Sequence, residues 1–315
     1  MSDPLVVDVH VHLFAGPDDP IRDGYEIWEY GEGPEVEFGQ RPGTFDDLVV
    51  AMAEQQCDHS VVLGMFVPDT EMATRRDELD ARGEPADDAD LRAALPERLQ
   101  AYNDWILSEA ARSPHLTPLI AADPSTLGGP AGADHLARAA GRGAKGVKVH
   151  PVVQGFFPDD PRMGPTYDLC QELGLTVLSH AGQTKGQPQY ADPWAFASVM
   201  EAHPRLHLLL AHLGGAAWPQ VRAFAAAFPT VSFDLCEIIA WTGSPGAPTA
   251  DELGRLIRDI GADRVLFGTD FPWYEVDRTI DQLMTLPHLS DEERRGILGE
   301  NAVRRIGLVT GAPAG

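Results

Sequence analysis

The chain has 315 residues, 43% of them hydrophobic, and a formal net charge of −24. That field repels nucleic acid phosphates and anionic lipid, so neither is expected as a partner. The length is roughly twice that of a typical domain, but an α/β barrel reaches it as one domain with a sizeable core.

The cysteines, Cys57, Cys170 and Cys236, are odd in number, widely spaced and without a CxxC pair, the pattern of reduced thiols. Met1-Ser2-Asp3-Pro4 runs directly into an apolar strand, without the basic and long apolar regions of a signal peptide. No later run is long enough to span a membrane. A cytoplasmic protein is the expectation.

Short β-rich apolar runs alternate with longer helix-like stretches in eight units. The strands are expected at 5–10, 60–65, 117–121, 146–150, 176–180, 206–212, 231–236 and 264–268. The helices are expected at 45–56, 94–112, 132–141, 164–173, 193–203, 217–228, 249–260 and 276–286. Strands apolar on both faces belong to a parallel sheet covered by helices, and eight βα units in series predict a closed (β/α)8 TIM barrel. No GxGxxG follows the first strand, which argues against a dinucleotide-binding sheet. Ser290, with Glu293 three residues on, forms a capping box for one extra C-terminal helix. Residues 311–315 are expected to fray. Two strand-to-helix connections are extended. Residues 14–42 are acidic and carry Tyr25, Trp28, Tyr30 and Phe38, suiting a lid or rim. Residues 67–90 are highly charged, suiting a solvated helical excursion.

Four histidines and one aspartate fall at predicted strand ends, where barrel active sites form. Strand 1 ends Asp8-Val9-His10-Val11-His12, and residues two apart on a strand point the same way. Strand 5 ends at His180, strand 6 at His212-Leu213-Gly214-Gly215 and strand 8 at Gly268-Thr269-Asp270. Three imidazoles and one carboxylate suit zinc with positions left open; Mn2+, Fe2+ and Co2+ share such ligands. His10, His12, His180 and Asp270 are assigned to one divalent metal, and His212 to general-base work on water. The swap, with His212 a ligand and Asp270 the base, stays open.

Lysine occurs only at 145, 148 and 185. Lys148 and His150 share the inward face of strand 4. A buried lysine is costly unless paired or modified. Lys148 could hold a substrate carboxylate, carry a carbamate bridging two metals, or pair structurally with Asp8 or Asp234. His150 could touch substrate or a ligand, or be a satisfied core histidine. Glu237 could orient a ligand histidine or lie on the rim. Trp241, Trp273 and Tyr274 could frame a flat substrate, Trp273 foremost, or pack in the core. Nothing selects Arg41 or Arg162 over other arginines as an anion site. No chemistry is expected of His59, His115, His135, His203, His207 or His288.

Together, the 8–12 segment, Gly146-Val147-Lys148-Val149-His150-Pro151, His180, His212-Leu213-Gly214-Gly215, Gly268-Thr269-Asp270-Phe271-Pro272 and Glu300-Asn301-Ala302-Val303-Arg304-Arg305 resemble the amidohydrolase superfamily. Its amidohydrolase-related branch, which includes aminocarboxymuconate-semialdehyde decarboxylase, resorcylate-type decarboxylases and pyrone-dicarboxylate lactonase, is the nearest in pattern. The resemblance implies the barrel, His10, His12, His180 and Asp270 as metal ligands, and His212 as the catalytic histidine. It also implies a homo-oligomer, most often a dimer. A lysine on strand 4 is carbamylated in binuclear superfamily members, whereas this branch is mostly mononuclear, so one metal is expected. The implied activity is hydrolysis of an ester, lactone or amide of a small, aromatic or carboxylated substrate, with non-oxidative decarboxylation as the alternative. A metal-bearing binding protein without turnover is a third reading.

Overall fold

The computed structural model describes residues 4–19, 30, 36–183 and 188–308. Tyr25, Trp28, Lys185 and the tail at 311–315 lie outside the described residues, as does most of the long segment after the first strand.

Eight parallel strands follow one another in chain order: β1 Val7–His12, β2 His59–Leu63, β3 Leu116–Ala121, β4 Gly146–Val149, β5 Thr176–Ser179, β6 His207–Leu210, β7 Ser232–Asp234 and β8 Val265–Leu266. Hydrogen bonds from Val9 N–H to Phe267 O, Asp270 N–H to His10 O and His12 N–H to Phe271 O bring the end of β8 back to β1. This is the expected (β/α)8 barrel. The outer layer includes α1 Phe45–Glu54, α2 Pro68–Asp80, α3 Asp88–Ala110, α4 Gly129–Ala140, α5 Gly164–Leu173, α6 Ala197–Ala202, α7 Val221–Ala227, α8 Ala250–Ile260 and α9 Val276–Thr285. No helix among the described residues is long and apolar enough to cross a membrane.

The helices dock through buried apolar residues, most regularly in α8. In α8 the buried residues Leu253, Leu256, Ile257 and Ile260 recur at helical spacing, and Thr249 with Glu252 closes its N-terminus as a capping box. Burying side chains of this size stabilises by about 1.5–3 kcal/mol each. The 67–90 segment is the helical excursion expected, with α2 inside it. However, α3 begins at Asp88, six residues before the expected 94. Asp87 caps it by accepting from Asp90 N–H, and Asp88 and Asp90 suit the positive end of the helix dipole. This acidic first turn lacks the apolar stripe that reveals a helix in sequence.

The interior below the site is filled by Val7, Val9, Val61, Leu63, Leu119, Leu178, Leu209 and Leu266. Ala302, Ile306 and Leu308 pack onto this layer from the C-terminal helical run, which starts at α10, Asp291–Arg295. That run is the extra helix expected, and it plugs the lower end of the barrel.

A β-bulge in β1 decides which side chains reach the upper interior. Asp8 pairs with Ser60 and Val11 with Val62, so β1 takes three steps where β2 takes two. An inserted residue reverses the facing of the strand beyond it. Val7 and Val9 therefore face the inner layer, whereas Val11 joins the cluster under the helices. His10 and His12 are left facing the mouth.

Candidate metal centre and active site

A cavity of about 290 Å³ opens at the C-terminal ends of the strands. It is lined by His10, His12, Lys148, His150, His180, His212, Glu237 and Asp270, with Phe38, Met65, Trp241, Trp273 and Tyr274. Every residue expected in the site is on this surface. None of the six histidines set aside lines it.

β1 supplies His10 and His12. His10 Nδ1 lies 3.0 Å from Asp234 Oδ2 on β7. A carboxylate only accepts, so Nδ1 carries the proton and Nε2 keeps its lone pair. His10 Nε2 then faces Lys148 Nζ at 3.0 Å and Asp270 Oδ1 at 3.5 Å. His12 Nε2 is 3.2 Å from the same Asp270 oxygen. Asp270 Oδ1 is buried and receives no hydrogen bond among the described residues. An orphaned carboxylate oxygen facing two imidazole nitrogens is a donor set built for a cation. Burial works against ionisation of Asp270, yet the imidazoles of His10, His12 and His212 hold its carboxyl well below the usual range.

The end of β6 is strained. His212, Leu213, Gly214 and Gly215 have φ of 57°, 46°, 83° and 52°, four successive left-handed residues. A Cβ at Gly214 would lie 2.7 Å from Val221 Cγ2, so the turn needs glycine for space as well as for φ. Glu237 and Asp270 also have positive φ, at 61° and 66°. Strain of this kind costs on the order of 1–3 kcal/mol per residue and collects at functional sites. The turn sets His212 Nε2 at 3.2 Å from His180 Nδ1. On its other side His212 Nδ1 is 3.3 Å from Cys236 O and 3.4 Å from Glu237 Oε2. Glu237 thus stands against an imidazole, the orienting position considered from sequence, and the imidazole is that of His212.

His150 stacks on His180 with ring centroids 3.9 Å apart and an interplanar angle of 11°. Burial, then the Lys148 charge, pushes the His180 imidazole down to about 3, and burial holds His10 and His150 well below their ordinary range. Neutral imidazoles are the ligating form. Lys148 has no carboxylate partner within 4.0 Å among the described residues, so the structural ion pair with Asp8 or Asp234 does not form. Those acids have other duties. Asp8 accepts from the N–H groups of His10 and Thr269 and from the Thr269 hydroxyl.

Two arrangements were not foreseen from sequence, those of Asp234 and Cys236. Asp234 lies under both His10 and His212. The Cys236 thiol is 3.1 Å from both His10 Nδ1 and His212 Nδ1, and it donates to Asp234 Oδ1 at 2.8 Å. Phe38 forms part of the rim, as expected of the 14–42 segment, packed on Trp241 and Tyr274, with neighbouring Gly39 N–H donating to Trp273 O. For Asp234 a signal existed. It shares strand parity with Cys236, and an acid inside an apolar strand demands donors.

A family model for amidohydrolases, Amidohydro_2, matches residues 7–308. The chain belongs to the amidohydrolase family. Among curated proteins it is similar to the 2-amino-3-carboxymuconate-6-semialdehyde decarboxylase of Dictyostelium discoideum, 26% identical over 196 residues. That match covers 53% of this chain and 54% of the relative, so the chain spans about half the length of the curated protein it matches. Solved structures share the fold. The 5-carboxyvanillate decarboxylase of Sphingomonas paucimobilis has a TM-score of 0.64 at 13% identity, covering 98% of this chain and 100% of that one. The 2,6-dihydroxybenzoate decarboxylase of Rhizobium has 0.64 at 17%, covering 98% and 99%. A probable 2-pyrone-4,6-dicarboxylic acid hydrolase of Acinetobacter baumannii has 0.59 at 13%, covering 96% and 99%.

Amidohydrolases typically bind a divalent metal, and the residues of this one fit that requirement. Ligand atoms of His10, His212, Cys236 and Asp270 lie within 4.8 Å of one another. His12 reaches this group through Asp270, and His180 reaches it through His212. Imidazole and carboxylate donors are a set that borderline metals such as zinc take, while the Cys236 thiol in this group donates to Asp234.

Proposed function

We propose that this amidohydrolase hydrolyses an ester, lactone or amide bond of a small planar substrate bearing a carboxylate. The observation behind the reading is the pairing of His212 with Glu237 at the wall of a cavity where His10, His12 and Asp270 converge. One divalent cation, zinc by ligand preference, is assigned to His10, His12, His180 and Asp270; when bound it polarises the carbonyl and lowers the pKa of water toward ~7.

The chain's own groups supply the rest. His212 accepts the proton of the attacking water at Nε2. Its Nδ1–H faces Cys236 O and Glu237 Oε2, so the imidazolium that forms is stabilised where it stands. Lys148, a buried cation beside His10, receives the substrate carboxylate through charge-assisted hydrogen bonds. Trp273, edge-on to His12, and Trp241 with Tyr274 and Phe38 give flat apolar walls. His150 braces His180 by stacking.

Decarboxylation of a small aromatic or unsaturated acid is the second reading. Lys148 favours it, since a buried ammonium without an acid partner among the described residues suits a carboxylate substrate, and several similar proteins are named as decarboxylases. In that reaction His212, protonated at Nε2 from solvent, gives that proton to the ring carbon as the carbon–carboxylate bond breaks and CO2 leaves. Incubating the metal-loaded protein with aryl lactones, aryl esters and hydroxybenzoates decides between them. Hydrolysis releases acid and no CO2; decarboxylation consumes acid and evolves CO2. Measurable ligand binding without turnover of any of these would count against both.

A further inference from the structure

We propose that Asp234 is a positioning residue that sets the tautomer of His10 and locks the backbone turn from which His212 projects. The proposal rests on the reading that His10 binds the metal and His212 moves the proton.

Asp234 is fully buried on β7, and both of its oxygens already accept. Oδ2 is 3.0 Å from His10 Nδ1. Oδ1 is 2.8 Å from the backbone nitrogen of His212 and 2.8 Å from Cys236 Sγ. With the other tautomer, a ring lone pair on His10 would face a carboxylate oxygen, which is repulsive. Asp234 therefore presents the Nε2 lone pair of His10 to the side where Asp270 stands. At His212 the left-handed backbone takes the chain out of the β6 ladder. Its N–H would be a buried orphan donor without Asp234, so the carboxylate holds that turn in place. One side chain thus ties together two functional histidines from strands 1 and 6.

Asparagine cannot take its place. It offers one accepting oxygen and one donating NH2, so either His10 Nδ1–H or the donors of His212 and Cys236 would meet another donor. The Cys236 thiol completes the arrangement as a donor to Asp234, and burial pushes its ionisation well above the ordinary thiol range.

The test is zinc affinity of the metal-free full chain, measured by competition with a chromophoric chelator. Asp234→Asn should weaken zinc by about 10–100-fold while near-UV circular dichroism stays that of the wild type. Cys236→Ala should stay within about threefold of the wild type. Wild-type affinity in Asp234→Asn would overturn the proposal. So would a thiolate-to-metal charge-transfer band in the Co(II)-loaded wild type that Cys236→Ala abolishes, since the thiol would then be a ligand. If Asp234→Asn does not fold, 15N correlation spectra of the wild-type imidazoles decide: His10 must carry its proton on Nδ1, and a proton on Nε2 overturns the assignment. Retention of zinc by His10→Ala would instead sink the ligand reading beneath it. Loss there with full binding in Asp234→Asn would sink only the positioning role.

Discussion

Lys148 Nζ lies inside a protein of net charge −24, yet its hydrogen-bond partner among the described residues is His10 rather than an acid. Burial lowers the pKa of its ammonium, and an incoming carboxylate would oppose that shift by favouring the charged form. Replacing Lys148 by methionine should raise the inhibition constant of benzoate by about 10–100-fold, the worth of one charged hydrogen bond; an unchanged constant would remove Lys148 from substrate binding. His180→Ala should lose most bound metal and keep its circular dichroism. Wild-type metal content by elemental analysis would take His180 out of the ligand set. These residues were legible in the sequence because chemistry-bearing side chains at strand ends are conspicuous against apolar runs. Cys236 was not, and Asp234 only as an acid inside an apolar strand, since their importance lies in contacts across more than 220 positions of chain, to His10.

At the scale of elements, β1 shows how alternation can mislead. The expected strand, 5–10, stops short of the observed Val7–His12, and even spacing alone would put Val9 and Val11 on one face. The bulge separates them, and only pairing with β2 reveals it. The rim at 36–40 likewise exists through contact, with Gly39 N–H bound to Trp273 O and Phe38 seated on two rings. The C-terminal run was visible from its capping box, but its role as a plug was not. A Cβ on Gly299 would lie 2.4 Å from Leu5 O, a backbone atom that cannot easily yield. Gly299→Ala should therefore destabilise by about 1–3 kcal/mol through overpacking, measured as a lower urea midpoint with an unchanged slope. An unaltered midpoint would show that the tail does not press on the entry to β1.

For the whole molecule, the buried histidines make stability sensitive to acid. His59 at the start of β2 bonds Thr117 Oγ1 at 2.8 Å, and burial lowers its pKa to about 4. Above the unfolded value of about 6.5 both states are neutral and His59 contributes nothing. As pH falls from there to about 4, the unfolded chain takes up a proton that the folded chain refuses, so stability is lost through that window. Below it the loss levels off at about 3 kcal/mol, at roughly 1.4 kcal/mol per pKa unit. His59→Gln should flatten the fall in unfolding free energy between pH 6.5 and 4 relative to the wild type; equal slopes would show that His59 is not the source.

The amino-acid sequence determined the barrel and the gathering of histidines at its mouth. Both arise from periodicity: apolar runs of strand length alternating with helical stripes admit few packings, and a polar residue at a strand's end is carried to the same rim each time. Tertiary structure alone decided the direction in which each of those side chains acts. The bulge that turns His10 and His12 inward, the carboxylate of Asp234 beneath them and the left-handed turn at His212 come from pairings between distant strands. A buried donor or acceptor must be matched by whatever the fold brings beside it, and that neighbour is not written in local sequence.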